Sequence, residues 1–399
     1  MQYNFDQVIE RAESDCMKWR QHPGDVLPLW VADMDFLSPE PVIRALKERV
    51  EHGVFGYPGG AGMKIAGGVC LKEVVVERLA RLYGWEVEPE DLIFLPGVVT
   101  GINMACHALG RPGEAALIQT PVYYPFLSAP GNAGLALQQM ELTRCQDGRY
   151  AIDYDVFEHS ITPQTRLFIL CNPHNPVGRV FEQAELMRMA EICLEKGVVI
   201  CSDEIHCDLV FSGYRHIPIA SLDPEIGKRT ITLMAPSKTF NIAGLQCSFA
   251  VIQNPQLRKQ FQSSHQGLVS FVNVMGLTAA LAAYRDGGEW LEQLMAYLEA
   301  NRDFLVEFIQ QEIPGIEANR VEGTYLAWLD CRRILQKNPC EFFLEEARVG
   351  LNDGKVFGKG GEGFVRLNFG TPRSLLYEAL ERMKEAVSRV KSPPNKTVN

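Results

Sequence analysis

The sequence predicts an α/β protein in which helices cover both faces of a parallel sheet, followed by a smaller α+β domain. Short apolar runs bounded by turn residues recur through the middle of the chain, an amphipathic helical stretch separates two of them, and the pattern changes after about Tyr284. Such runs are typical of strands buried on both faces, and strands that alternate with helices form parallel sheets. The 399 residues are enough for two or three domains.

Five apolar runs fit strands of the parallel sheet because they are short and end at turn residues. They are residues 91–95, 115–119, 166–170, 198–202 and 230–234. Residues 182–196 fit a helix between two of these strands, because their apolar side chains recur at helical spacing, and Gly197 then ends the helix. The order strand, helix, strand predicts that helices pack on the sheet.

The pattern after Tyr284 predicts the second domain from two strands and three helices. The predicted helices are residues 288–311, 341–347 and 374–389, and the predicted strands are residues 323–329 and 364–369. Upstream, Ser38 fits the capping residue of a helix with proline in its first turn. We therefore predict an amino-terminal segment packed on the small domain (residues 1–50), a large domain (51–285), the small domain (286–390) and a disordered polar tail (391–399).

Composition favours a metabolic enzyme of the cytoplasm. Apolar residues make up 46% of the chain and charged residues 22%, and the net charge is −10. An acidic chain is a poor partner for nucleic acid or anionic membranes. The amino terminus has no basic segment followed by an apolar one, and no apolar run approaches the roughly 20 residues of a membrane span. We expect a small-molecule substrate.

Two further features have plain interpretations. Eleven cysteines are scattered without a Cys-x-x-Cys pair, which favours reduced, buried thiols. Cys201, His206 and Cys207 allow a metal site, but no further clustered ligands complete one, so we predict no metal. The glycine-rich residues 53–68 fit a mobile loop better than a phosphate-binding loop, because neither the Walker nor the dinucleotide spacing is present.

Lys238 is the strongest candidate for chemistry. It follows an apolar run and lies in a turn of small residues, where a lysine can lose its proton and form a Schiff base with an aldehyde. Asp203 lies just beyond residues 198–202, at the end of a strand where ligands of open α/β sheets bind, although an aspartate there is commonly a helix cap or turn former. A carboxylate at this place could keep a cofactor's ring nitrogen protonated.

Two other strand ends complete the pattern. Asn175 lies between two prolines that fix its backbone and leave its amide a rigid donor, although residues 171–178 also fit a simple turn. Residues 95–101 connect a strand to a helix. The amides of Val98 and Val99 then face outward at the amino terminus of the helix, where they can bind phosphate. Lysine, aspartate, asparagine and a phosphate seat together indicate pyridoxal phosphate.

With these residues in order, the chain resembles the fold-type-I pyridoxal phosphate enzymes of the class I/II aminotransferase-like superfamily over nearly its whole length. It is most similar to the branch of cystathionine β-lyases and cysteine-S-conjugate β-lyases. The segments that carry the resemblance are residues 30–36, 55–57, 96–99, 121–126, 171–178, 202–208, 236–246, 322–325 and 365–370. The resemblance implies the aspartate aminotransferase fold, with a mostly parallel seven-stranded sheet in the large domain, and a homodimer.

The resemblance also implies a role for each site residue. Lys238 would form the Schiff base and act in catalysis, and Arg366 would bind the substrate α-carboxylate. The remaining positions are cofactor-binding: Asp203 for the pyridine nitrogen, Asn175 for the phenolate oxygen, Tyr123 for the ring face, Val98, Val99 and Ser237 for the phosphate, His206 beside the ring, and Tyr57 reaching the phosphate from the partner subunit.

Departures from the aminotransferase pattern favour the lyase branch. Ala235 and Gln246 stand where aminotransferases usually carry a serine and an arginine on the phosphate, and His206 stands where many carry a tyrosine. The expected reaction is β-elimination from cystathionine or a cysteine S-conjugate, giving a thiol, pyruvate and ammonia. Transamination of amino acids is the alternative, because both reactions share the removal of the α-proton. A regulator that binds partners is a third interpretation, but the sequence adds no DNA-binding segment.

Overall fold

The computed structural model describes residues 1–59, 62, 69–264, 267–318, 321–334 and 337–391. Half of the glycine-rich residues 53–68 that were predicted to be mobile, and all but the first residue of the predicted tail, lie outside these ranges. No helix of the described part of the chain is both long and apolar enough to cross a membrane.

The strands are β1 (Leu27–Pro28), β2 (Leu92–Leu95), β3 (Ala115–Thr120), β4 (Ala136–Glu141), β5 (Thr143–Arg144), β6 (Tyr150–Ala151), β7 (Thr165–Cys171), β8 (Val199–Asp203), β9 (Thr230–Met234), β10 (Ser248–Val251), β11 (Glu317–Ala318), β12 (Leu326–Asp330), β13 (Val349–Gly350), β14 (Asn352–Asp353) and β15 (Phe364–Asn368). The α-helices are α1 (Met17–Arg20), α2 (Glu40–His52), α3 (Leu71–Tyr83), α4 (Val98–Leu109), α5 (Pro125–Asn132), α6 (Tyr154–Ser160), α7 (Gln183–Glu195), α8 (Pro224–Gly227), α9 (Pro236–Thr239), α10 (Pro255–Ser263), α11 (Val274–Asp286), α12 (Gly288–Glu312), α13 (Pro339–Phe342) and α14 (Arg373–Lys391).

The central sheet has seven strands in the order β2–β10–β9–β8–β7–β3–β4. Strands β9, β8, β7, β3 and β4 are parallel, and β10 runs antiparallel to both of its neighbours. The predicted seven-stranded, mostly parallel sheet is confirmed. Helices cover it, and the five predicted strands are observed to within one residue at each end.

Two strands of the sheet were not predicted, and each has a physical reason. β4 pairs only with β3 at the sheet edge and contains two glutamines, so it lacks the continuous apolar run of a central strand. β10 has four residues, and the helix–strand alternation that identified the other strands does not lead into it. The edge position of β4 and the antiparallel pairing of β10 therefore explain why the sequence pattern did not predict these strands.

The parallel strands bring the segments that follow them to one edge of the sheet. β7 ends at Cys171, β8 at Asp203 and β9 at Met234. β2 and β9 are both antiparallel to β10, so they run in the same direction and β2 ends at this edge too. Ligands of open α/β sheets bind at such carboxyl ends.

The carboxyl-terminal part of the chain forms a four-stranded antiparallel sheet, β11–β12–β15–β14, with α12 and α14 beside it. The predicted helices 288–311 and 374–389 correspond to α12 and α14. The predicted helix 341–347 is instead α13 followed by a π-helical turn over Phe343–Ala347. Near the amino terminus, β1 pairs with β13, while α2 packs against α11. The domain boundaries given above stay predictions.

One capping assignment was wrong. The residue that precedes α2 as its cap is Pro39, and no side chain caps the helix. The Ser38 hydroxyl instead donates to the backbone oxygen of Asn241 at 3.0 Å. The hydroxyl therefore donates to a carbonyl group far away in sequence and does not accept from a local amide, as the capping pattern suggested.

Candidate active site

A cavity of about 460 Å³ opens at the carboxyl ends of the parallel strands. It is lined by most of the residues that the sequence singled out: Val98, Val99, Tyr123, Asn175, Asp203, His206, Ser237 and Lys238. Arg366 reaches the same place from the small sheet through its bond to Asn175. The fold therefore gathers nine predicted positions around one cavity.

Helix α4 presents its amino terminus to the cavity. Gly97 precedes it in an extended conformation, and no side chain caps the helix. The first amides of a helix have no partner within it and carry a partial positive charge, so anions bind there. Val98 and Val99 supply these amides, and Ser237 adds a hydroxyl to the lining. The arrangement fits a phosphate group.

Lys238 lies on α9, directly after β9. Its Nζ atom donates to the backbone oxygen of Ala32 at 2.6 Å. Burial lowers the pKa of Lys238 to about 8, although the nearby Asp33 carboxylate acts in the opposite direction. A lysine with this pKa is neutral far more often near pH 7 than an exposed lysine, and only the neutral amine is a nucleophile or a base.

Asp203 ends β8 and is almost fully buried. Its Oδ1 atom accepts from the amide of Ile205 at 3.1 Å. Burial raises the pKa of Asp203 to about 7, and this bond and the charge of Lys238 offset only part of the effect. A carboxylate in such a place is stabilised when a cationic ligand group lies beside it.

Arg366, at the centre of β15, is buried and binds three groups. Nη1 donates to Asn175 Oδ1 at 3.0 Å, and Nη2 donates to Trp30 O at 2.8 Å and to Asn352 Oδ1. Burial lowers the pKa of Arg366 to about 10. Its Nε atom is buried without a hydrogen-bond partner among the described residues. An incompletely satisfied guanidinium is suited to a carboxylate ligand.

Tyr123 and His206 lie on different strand ends of the cavity. The Tyr123 amide donates to the backbone oxygen of Asn175 at 3.1 Å, and burial raises the pKa of its hydroxyl. His206 is buried, and its ring meets that of Tyr325 edge-on at 5.9 Å. Burial, with the charges of Lys238 and Arg366, lowers the pKa of His206 to about 3, so the imidazole is neutral.

Sequence reasoning missed several groups of the site. The Tyr325 hydroxyl donates to Ala32 O at 2.9 Å, so it shares that acceptor with Lys238. Trp30 O and Asn352 hold Arg366. Residues 30–36 and 322–325 were noticed as segments, but a backbone carbonyl has no side-chain signature that could assign it a role. Asn352, in a two-residue strand, offered no pattern at all.

Tyr57 does not line the cavity of its own chain. Its side chain is fully exposed, and Phe55, Leu268 and Phe271 are also exposed apolar side chains. The predicted position of Tyr57 in a partner's site is therefore not met within one chain and stays a prediction. The metal interpretation of the Cys201 region gains no support, since the described residues contain no group of three His, Cys, Asp or Glu side chains that could hold a metal ion.

A half-buried lysine and a buried aspartate at the carboxyl ends of the parallel strands define an α/β enzyme with its active site at the sheet edge. The chain belongs to the aminotransferase class I and II family, whose model matches residues 25–383.

Known relatives cover nearly the whole chain. The cystathionine beta-lyase PatB of Bacillus subtilis is 40% identical, over 96% of this chain and 100% of the relative. Cystalysin from Treponema denticola, whose crystal structure contains pyridoxal 5'-phosphate, superposes with a TM-score of 0.93 at 33% identity, covering 98% of this chain and 100% of cystalysin. The pyridoxal-phosphate-bound C-S lyase from Staphylococcus hominis gives 0.89 at 34% identity, covering 96% and 99% of the two chains. The expected fold is confirmed.

Proposed function

We propose that this protein is a pyridoxal-phosphate-dependent carbon–sulfur β-lyase that acts on cystathionine or cysteine S-conjugates and gives a thiol, pyruvate and ammonia. The observation that carries the proposal is 40% identity to a cystathionine beta-lyase over the full length of that relative. The cavity supplies the chemistry that such a reaction needs, with a lysine of depressed pKa beside a buried carboxylate.

The cavity fits the cofactor group by group. The uncapped amino terminus of α4 and Ser237 suit the phosphate. Lys238 supplies an amine for the aldehyde, and Asp203, whose buried carboxylate lacks a cationic partner bonded to it among the described residues, suits a protonated ring nitrogen. Asn175 and Tyr123 line the same cavity and suit the phenolate oxygen and the ring face. Bound there, the cofactor would accept the electron pair that remains when a bond to the substrate α-carbon breaks.

The protein's own groups then divide the work. Arg366 binds the α-carboxylate and so orients the substrate. The neutral amine of Lys238 takes the α-proton, and the thiolate leaves from the β-carbon. The unsaturated amine that remains is hydrolysed to pyruvate and ammonia. Burial and the charges of Lys238 and Arg366 keep the pKa of His206 low, so its imidazole stays neutral in the site.

Transamination is the second candidate, because the family that the chain belongs to is named for it. The two reactions differ only after the α-proton has been removed. Incubation with L-cystathionine separates them: the lyase releases pyruvate and free thiol in equal amounts. A 2-oxo acid that retains the sulfur side chain would establish transamination instead. The Lys238→Ala variant serves as the control for spontaneous breakdown.

The proposal includes a homodimer in the cytoplasm. Tyr57, Phe55, Leu268 and Phe271 form exposed apolar surface on one chain, and a second copy would bury such surface. In that arrangement Tyr57 reaches the phosphate in the partner's site. The eleven cysteines are all free, and most are buried, which agrees with a reducing compartment.

A panel of cysteine S-conjugates scored by pyruvate release would identify the preferred leaving group.

A further inference from the structure

Residues 30–36, here called the junction turn, lie outside the helices and strands, yet the carbonyl groups of residues 30–34 all accept hydrogen bonds. Side chains from distant parts of the chain donate to them, in place of a backbone ladder. The donors are Arg366 to Trp30, Asn368 to Val31 and Asp33, Lys238 and Tyr325 to Ala32, Lys18 to Asp33, and Arg11 and Asn241 to Met34. Side-chain donors therefore set the position of this turn.

The amino-terminal segment that contains Arg11, Lys18 and Trp19 binds the junction turn through a cluster of charged side chains around the buried Asp35. The Lys18 side chain has no exposed surface, and its Nζ atom lies 2.7 Å from Asp35 Oδ2. The other carboxylate oxygen of Asp35 accepts from Arg11 Nη1 at 2.6 Å and from Trp19 Nε1 at 2.9 Å. Burial opposes the charge of Asp35, but Lys18 and Arg11 hold its pKa below the usual range. Both carboxylate oxygens of Asp35 are thus hydrogen-bonded.

A buried ion pair is a poor source of stability, because removing two charges from water costs about as much as their attraction returns. Its geometric effect is better defined. The Lys18 backbone oxygen accepts from Trp30 Nε1 at 3.2 Å, and the Trp30 oxygen accepts from Arg366 Nη2 at 2.8 Å. Two positions further, Ala32 O accepts from Lys238 at 2.6 Å. Any shift of the junction turn moves the acceptors of both active-site cations.

We propose that Lys18 is a positioning residue of the active site. With Asp35 it fixes the junction turn, and the Trp30 carbonyl group of the turn fixes the side chain of Arg366. Such support from outside the site is what holds a binding group in the geometry that it needs. The inference rests on the proposed function only in taking Arg366 as the group that binds the substrate carboxylate.

The test is Lys18→Met, which keeps the aliphatic stem and removes the charge. We expect the KM for L-cystathionine to rise about tenfold while kcat changes less than about threefold, because carboxylate binding weakens before chemistry does. Arg258→Met is the matched control: it breaks the ion pair to Asp91 (2.7 Å), at the end of β2 remote from the cavity. It should lower Tm and leave KM unchanged. If Lys18→Met lowers Tm and leaves KM unchanged, the role of Lys18 is purely structural and the proposal is overturned.

The double variant Lys18→Met/Asp35→Asn separates position from stability. In Lys18→Met the buried Asp35 carboxylate keeps Arg11 but has lost Lys18, and the second substitution removes its charge, so Tm should recover. The junction turn stays released, so KM should stay high. Hydrogen exchange at the amides of Met34 and Asp35, which bond to Asn241 and Gly370, should be faster in both variants. A KM that returns to the wild-type value together with Tm would contradict the inference. Trp19→Phe, which removes one neutral donor to Asp35, gives the same test with a smaller rise in KM should Lys18→Met not fold.

A binding measurement keeps this inference separate from the proposed reaction. L-Alanine carries an α-carboxylate but no leaving group, and its Kd for the cofactor-loaded protein can be measured by calorimetry. An approximately tenfold weaker Kd in Lys18→Met supports the positioning role even if the wild-type protein releases no pyruvate, and an unchanged Kd overturns it. Absence of pyruvate release from the wild-type protein would instead overturn the lyase assignment.

Discussion

Arg366 Nη1 donates to Asn175 Oδ1 at 3.0 Å, across 191 positions of the sequence. A guanidinium can only donate, so the carbonyl oxygen of Asn175 faces Arg366 and the Nδ2 group is directed away from it. The residue proposed to bind the substrate carboxylate thereby orients the amide proposed to bind the cofactor oxygen. Under the proposed function, substrate recognition and cofactor binding therefore depend on one hydrogen bond.

This bond predicts that Arg366→Met and Asn175→Ala are not additive. Without Arg366 the Asn175 amide can rotate, so the further substitution Asn175→Ala costs less activity than it does in the wild-type protein. We expect a coupling energy of about 1 to 2 kcal/mol in kcat/KM. The four proteins of the double-mutant cycle measure it. Gln138→Ala, on edge strand β4, should add to Arg366→Met within about 0.5 kcal/mol. Full additivity of the first pair would show that the two side chains act independently.

The raised pKa of Asp203 predicts a pH dependence of stability for the cofactor-free protein. Between its unfolded pKa near 4 and its folded pKa of about 7, the folded state binds the extra proton, so stability falls as pH rises through this window. Asp203→Asn removes the effect. We expect the variant to be more stable than the wild-type protein by roughly 2 to 4 kcal/mol at pH 8, with no such gain at pH 4. Calorimetric unfolding from pH 4 to pH 8 measures this difference. If the free energies of unfolding of the two proteins change in parallel with pH, the burial argument is contradicted.

Lys238→Ala should keep the fold and lose turnover by at least about 10³-fold, because both the covalent anchor and the base are removed. Borohydride treatment followed by peptide mapping should label residue 238 in the wild-type protein only. Lys228→Ala, which changes an exposed lysine paired with Glu225, is the control and should behave as the wild-type protein does. A wild-type protein left unlabelled at residue 238 would refute the covalent role.

Tyr57→Phe tests the shared site. The hydroxyl lies fully exposed on one chain, so its loss costs the chain itself nothing, but a partner's phosphate would lose a hydrogen bond. We expect the cofactor Kd to rise about tenfold while sedimentation still gives a dimer. The control is Tyr214→Phe, which removes the hydroxyl of a partly exposed tyrosine and should leave the cofactor Kd unchanged. A fully active monomer would exclude the proposed role of Tyr57.

The central strands, the fold class and several residues of the cavity could be predicted from the sequence alone. Buried parallel strands need continuous apolar runs, and their carboxyl ends must meet at one edge, so Asn175, Asp203 and Lys238 were recognisable from what precedes them. Strands β4 and β10 carried weaker patterns, because an edge strand needs less apolar sequence and a short antiparallel one has no adjoining helix to mark it.

The hydrogen bonds that hold these side chains could not be predicted from the sequence. The acceptors of Lys238 and Arg366 are the backbone oxygens of Ala32 and Trp30, and the turn that carries them is bound by Lys18 through Asp35. Every residue has a carbonyl group, so no residue type marks the one that will accept a bond. Its partner is chosen when distant segments pack together, and the strength of that choice comes from burial, which makes an unpaired charge or donor costly.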